Sequence, residues 1–240
     1  MFQGTKEITT QQARTISATR QEALGAIGRG ADGRLYRYGR AGAVNLAAGK
    51  VVVSKAVVAN HQNMAVVAAV VAGATTITAT LGGTAATEHQ YAGGEVTIND
   101  STGAGINYKV KGNSAQSATS GVVKIYLAEP VVVALATTSK ASLNVHAGDG
   151  VIVSPSAVAH VPYGVPNVAV TALYYAWFQY QGRCSVLSDG VITKGAGAIL
   201  SDAVDGAVEI EVAATVTTRV GRAIEATVDA KYYEIKLELL

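Results

Sequence analysis

The stretch Tyr232-Tyr233-Glu234-Ile235-Lys236-Leu237-Glu238-Leu239 alternates without a break. Tyr233, Ile235, Leu237 and Leu239 fall on one side and Tyr232, Glu234, Lys236 and Glu238 on the other. That is the period of a strand with one face in water. The composition extends the reading to the whole chain. Its 49% hydrophobic content comes largely from Ala and Val, beside two Phe, one Trp, two Met and 26 Gly. β-Branched side chains suit a pleated surface and glycine permits positive φ, so many short strands separated by Gly-rich turns are expected. With 240 residues the chain can bury a sizeable core as one domain or two small ones.

Working back from the end, residues 168–180 form the heaviest apolar run, with Tyr174, Tyr175, Trp177, Phe178 and Tyr180. Aromatics at both alternating positions predict a strand buried on two faces, by the core and by a partner or second sheet. Pro155, Pro162 and Pro166 precede it in a segment expected to be a boundary or crossover and not a central strand, because proline donates no ladder hydrogen bond. Residues 44–58 give the first firm β signal, with Ala48-Gly49-Lys50 as a turn before Val51-Val52-Val53. Residues 65–71 and 75–81 read as strands around Ala72-Gly73-Ala74. Strands are also expected at 95–99, 106–110 and 122–127, with turns at 100–105 and 112–121 and a solvated tip at 113–120. Residues 84–91 predict one short helix, capped by Thr84, with Glu88 in its first turns, and stopped by Gly93-Gly94.

Charge is lopsided. Residues 1–40 hold Lys6, Arg14, Arg20, Arg29, Arg34, Arg37 and Arg40 against Glu7, Glu22 and Asp32, a net of +4. The rest of the chain is slightly acidic, and the whole carries +2. Residues 5–24 lack an amphipathic stripe, so residues 1–40 are expected to be an extended basic arm that orders against its neighbours. Its acidic interruptions favour an acidic protein surface over nucleic acid, which asks for a larger basic excess. Cys184 is alone, which rules out an intramolecular disulfide and reads as a small core residue. The N-terminus lacks the apolar stretch of a secretory signal. The most apolar stretch, residues 64–73, is far short of the ~20 residues that cross a bilayer. A protein made in the cytoplasm, with no membrane partner, is expected.

No catalytic constellation emerges. His61, His89, His146 and His160 are scattered singly, without ligand spacing, and read as surface or loop residues. Asp100-Ser101-Thr102-Gly103-Ala104-Gly105 lacks the Gly-Lys-Ser/Thr ending of a phosphate loop and reads as a hairpin turn. The carboxylates Asp202/Asp205 sit in a turn, and Glu209/Glu211 share the outer face of a strand. Gly-x-Ser-x-Gly does not occur. No enzyme activity, cofactor or metal is expected.

The string Ala41-Gly42-Ala43-Val44-Asn45-Leu46-Ala47-Ala48-Gly49-Lys50-Val51-Val52 resembles the opening strand pair of tailed-phage capsid decoration (cement, head-stabilisation) proteins. So do Tyr174-Tyr175-Ala176-Trp177 through residues 182–190, Val220-Gly221-Arg222-Ala223-Ile224-Glu225-Ala226, and residues 234–239. Gln90-Tyr91-Ala92-Gly93-Gly94 and Leu127-Ala128-Glu129-Pro130-Val131-Val132-Val133-Ala134-Leu135 look like segments of other phage structural proteins. The resemblance covers about half the chain in short strings. It implies a mainly all-β fold, a small β-barrel or sandwich, on the outside of an assembled capsid in the virion. It further implies a homo-oligomer, a trimer by preference, that stabilises the shell by bridging major capsid subunits. The long middle block departs from compact members of the family. The expected layout is therefore an arm at 1–40, a main barrel or sandwich from 41–59 and 151–240, and an inserted β subdomain at 60–150. Arg14, Arg20, Arg29, Arg34, Arg37 and Arg40 are the expected capsid contacts of the arm. Tyr174, Tyr175, Trp177, Phe178 and Tyr180 are expected in the core or an oligomer interface. A phage head/tail fibre or receptor-binding β protein is the alternative, expected to be an elongated trimer with exposed aromatics. A shell-forming protein lacks its long spine helix here.

Overall fold

The computed structural model describes residues 4–117, 121–156, 161–212 and 218–239. His160 and the tip of the 113–120 segment lie outside them. The described fold is nearly all β. In chain order the first strands are β1 (Lys6–Ile8), β2 (Ile27–Gly30), β3 (Leu35–Ala41), β4 (Val52–Val53), β5 (Met64–Ala65) and β6 (Thr76–Thr80). Then come β7 (Glu95–Asp100), β8 (Asn107–Asn113), β9 (Val122–Leu127), β10 (Lys140–Asn144), β11 (Asp149–Val153) and β12 (Pro162–Pro166). The last are β13 (Tyr175–Leu187), β14 (Gly197–Leu200), β15 (Val208–Ile210), β16 (Arg219–Ala223) and β17 (Tyr232–Glu238). The chain divides into two units, residues 1–55 with 147–240, and residues 56–146.

In the first unit one sheet runs β1-β2-β3-β11-β4-β12-β13-β17-β16-β14-β15, and β3 also pairs with β13. That extra pairing closes β3, β11, β4, β12 and β13 into a ring. A second ring follows β13, β17, β16, β14 and β15 and returns to the end of β13 through a bridge between Ser188 and Val208. Closure removes free sheet edges, and it gives each ring its own interior. Phe178, Tyr163, Val52, Val151 and Leu46 fill the first, while Cys184, Val186, Val220, Ile235 and Leu237 fill the second. β13 is a wall of both.

The closing segment is the strand its alternation predicts. Ile235 and Leu237 are fully buried and Tyr232, Lys236 and Glu238 are exposed. β13 is buried on both faces at its start, since Ala176, Trp177, Phe178 and Gln179 are all inside. Phe178 meets Tyr163 edge to face within the first ring, at 5.7 Å between centroids. Trp177 points to the other face, where Tyr38 lies 5.1 Å away and Ile8 and Ala13 complete a small cluster.

That cluster corrects the expected arm. Residues 4–41 are not an extended appendage. β1 and β2 join the sheet, Leu35–Ala41 is interior to it, and the 3₁₀ turn Gln12–Arg14 buries Ala13. The low apolar content of residues 5–24 is misleading because few residues are needed to cover Trp177. Gly28 makes that cover close-fitting, for a β-carbon there would sit 2.8 Å from Ile8 Cδ1 and 2.9 Å from Trp177 Cζ3.

β12 is a second correction, because a proline-bounded strand lies inside the sheet, between β4 and β13. The prolines occupy its two ends, and a register shift between Pro162 and Gly164 spares the ladder at the first. At the second, Pro166 serves as an acceptor, its carbonyl taking the Gly49 N–H at 2.9 Å.

In the second unit β5, β10, β7, β8, β9 and β6 form one sheet, and a bridge between Val66 and Ala79 joins its ends. The helix expected at 84–91 is absent. Ala86 spends both backbone groups on Gln116 (2.8 and 3.0 Å), and His89 takes a left-handed φ of 56°. Tertiary pairing thus overrides a local helical signal. His61, expected at the surface, is fully buried. Its Nε2 faces the Thr84 carbonyl at 2.9 Å, so Nε2 carries the proton and Nδ1 accepts from the Tyr91 hydroxyl at 2.5 Å.

Each ring is latched where two turns meet. Leu46 and Val170 exchange backbone hydrogen bonds of 2.8 and 2.9 Å, and Val70 and Leu135 do the same at 2.9 and 2.8 Å. In the second ring of the first unit Thr227 N–H donates to the Ile192 carbonyl at 3.0 Å, and the Thr227 hydroxyl accepts the Ile192 N–H at 2.7 Å.

Phe178→Ala should lower the unfolding free energy by about 3–5 kcal/mol in urea titrations, because it empties the middle of a closed ring. Tyr91→Phe should cost about 1–2 kcal/mol, since it leaves His61 Nδ1 buried without a donor.

Candidate functional site

The N-terminal cover brings two of the expected arginines to the side of the second ring. Arg14 is carried by the 3₁₀ turn and Arg34 by the start of β3, after the tight turn at Gly33 (φ 80°). They line an open cleft of about 550 Å³ together with Arg183 from β13 and Tyr232 and Glu234 from β17. Ala48, Gly49, Pro166 and Asn167 complete its walls, and Arg34, Arg183 and Glu234 also border an adjoining hollow with Asp32 and Lys236.

Arg183 is placed by a β-bulge. Against β3, Gln179 pairs with Tyr36 and Gln181 with Leu35, so Tyr180 has no partner across the ladder. The fully buried Gln179 amide repairs the gap by donating to the carbonyls of Gln181 (3.2 Å) and Arg183 (2.9 Å). Its oxygen accepts from Asn167 at 3.0 Å. A rigid amide network therefore underlies the guanidinium that reaches the cleft.

The cleft carries carboxylates of its own. Arg34 Nε donates to Asp32 Oδ2 at 2.6 Å, which holds the Asp32 carboxyl below the usual range and pushes the Arg34 guanidinium up. Arg183 pairs with Glu234, but with its side chain 63% exposed the pair contributes little to stability. Arg14 forms no ion pair among the described residues. The cleft can therefore hold an anionic group by paired, charge-assisted hydrogen bonds. The Cys184 thiol at its floor is buried, contacts Asn167 Oδ1 at 3.4 Å, and is pushed up to about 12 by burial.

The other expected contacts separate. Arg37 lies 4.2 Å from the centroid of the Tyr180 ring, and Arg40 Nε is 2.7 Å from Asp149 Oδ1. Arg20 donates to the Glu22 carbonyl at 2.9 Å, and Arg29 is exposed on β2. The five aromatics of the 174–180 run pack within the chain, Tyr175 stacking on Tyr38 at 6.0 Å and Tyr174 lining the first ring. Arg183, Asn167 and Tyr232 were not marked as site residues by the sequence. No local motif surrounds them, and only ring closure brings them to Arg14 and Arg34.

Among the described residues no group of three or more His, Cys, Asp or Glu could hold a metal ion. Nor is any helix long and apolar enough to cross a membrane. Family models, characterised proteins and solved structures give no match to this chain.

The folded protein favours neutral Cys184 and Tyr91, whose hydroxyl burial also raises to about 12. The stability they contribute is complete below about pH 9 and is lost as the pH climbs towards about 12. Urea midpoints measured across that range should fall steadily, and Cys184→Ala should flatten the slope. The native thiol should also resist alkylation at pH 8 until the protein is unfolded.

Proposed function

We propose that this chain is a virion structural protein that binds the outer surface of a phage capsid and stabilises it by bridging major capsid subunits. One observation carries the reading. Of the strings that resemble decoration proteins, residues 174–190, 220–226 and 234–239 supply β13, β16 and β17, which run side by side in one sheet, and residues 41–52 connect β3 to β4, two walls of the adjoining ring. Closed rings with apolar interiors make a stiff body, and many copies holding the shell through modest contacts would reinforce it by multivalency. The basic groups of the N-terminal segment lie on this body, so docking is assigned to a folded surface and not to a loose arm. A homo-oligomer on the shell, a trimer by preference, belongs to the same proposal.

Purified protein added to shells of its virus assembled without it should co-sediment with them at a fixed ratio to the major capsid protein. It should also raise the temperature at which the shells open. Protein that leaves the shells bare and labels fibres or tail instead would overturn the reading.

A further inference from the structure

We propose that the cleft formed by Arg14, Arg34 and Arg183 binds a carboxylate-rich peptide segment of a partner protein. Arg14 of the N-terminal cover, Arg34 just before β3 and Arg183 of the shared strand β13 line one opening. A guanidinium presents a planar fork that matches a carboxylate, which is why arginine is favoured where such groups are recognised in pairs. Two of the three already pair with carboxylates of the chain, Arg34 through Nε and Nη2 with Asp32 Oδ2 and Arg183 through Nη2 with Glu234 Oε2. Arg14 is exposed and has no such partner among the described residues, so it is the position an incoming carboxylate completes.

The remaining walls suit a peptide. Ala48, Pro166 and the Tyr232 ring offer apolar surface, and about 550 Å³ accommodates a few side chains. The same features disfavour a polynucleotide, which needs an extended basic track without interspersed carboxylates. Asp32 and Glu234 interrupt this one. The identification of the partner as a capsid subunit rests on the decoration reading, whereas the carboxylate chemistry of the cleft does not.

The test is a calorimetric titration of the whole chain with a short peptide alternating Glu and Ala. Its Gln counterpart, inorganic phosphate and a single-stranded oligonucleotide serve as competitors for the assignment. The Glu peptide should bind, the Gln peptide should not, and added salt should weaken the binding. Arg14→Gln should reduce affinity about tenfold with an unchanged melting temperature, as the loss of one charge-assisted contact predicts. Equal binding of the two peptides, wild-type affinity in Arg14→Gln, or binding of phosphate or oligonucleotide in place of the peptide would overturn the proposal. Sedimentation with shells separates the two readings. If Arg14→Gln and Arg183→Gln proteins still load shells as the wild type does, the capsid subunit is overturned as the partner of the cleft and decoration stands. If the wild type ignores shells yet binds the Glu peptide through Arg14, decoration fails and the cleft stands.

Discussion

The first unit depends on one strand being buried twice. β13 is a wall of two closed rings, and at its start it also carries the face that the N-terminal cover seals. Phe178 and Trp177 are neighbours in sequence on opposite faces, each enclosed by a different set of residues. Burying large aromatics on both faces concentrates hydrophobic stabilisation in a few residues, of order 1.5–3 kcal/mol for each such side chain. Loss of either face would expose the other wall of the same strand. The rings and the cover are therefore one cooperative structure, and the buried Gln179 amide keeps the bulge from opening it.

This dependence explains which parts of the fold the sequence reveals. Alternation in residues 232–239 and the aromatic run before Tyr180 are signals that survive in any β context, so both appear as strands. Turns at Gly49, Gly73 and the Ser101–Gly105 region carry positive φ where glycine or a short polar residue stands. The helix expected at 84–91 fails because Ala86 is claimed by Gln116 and the His89 and Tyr91 N–H groups by Asn113, which no local pattern can show. The prolines around β12 were read as excluding a central strand, yet they bind only its ends. Residues 5–24 lack an amphipathic stripe and yet fold, since a cover needs only Ile8 and Ala13 at the right spacing to meet Trp177.

The candidate site was half visible. Arg14 and Arg34 stand out through the charge asymmetry of the leader, but the asymmetry dissolves in three dimensions. Arg37 and Arg40 are engaged with Tyr180 and Asp149 within the sheet. Arg14 and Arg34 instead meet Arg183, a residue of the nearly uncharged body. Linear charge counting found the surplus and misplaced it, because the property that matters is convergence across strands far apart in the chain.

The latches between turns differ in the length of chain they enclose. Val70 with Leu135 and Ile192 with Thr227 each close within a continuous stretch of chain, whereas Leu46 and Val170 enclose the entire 56–146 unit. Bringing distant residues together costs more entropy as the intervening chain lengthens, and folding slows with such separation. Once the inserted unit has folded, its ends are drawn together, as the Gln62 amide bonded to the Leu143 carbonyl at 2.8 Å shows. The long excursion then behaves as a short one. Closure of the first ring therefore costs least entropy when the insertion is already folded, because the loop it must then close is effectively short.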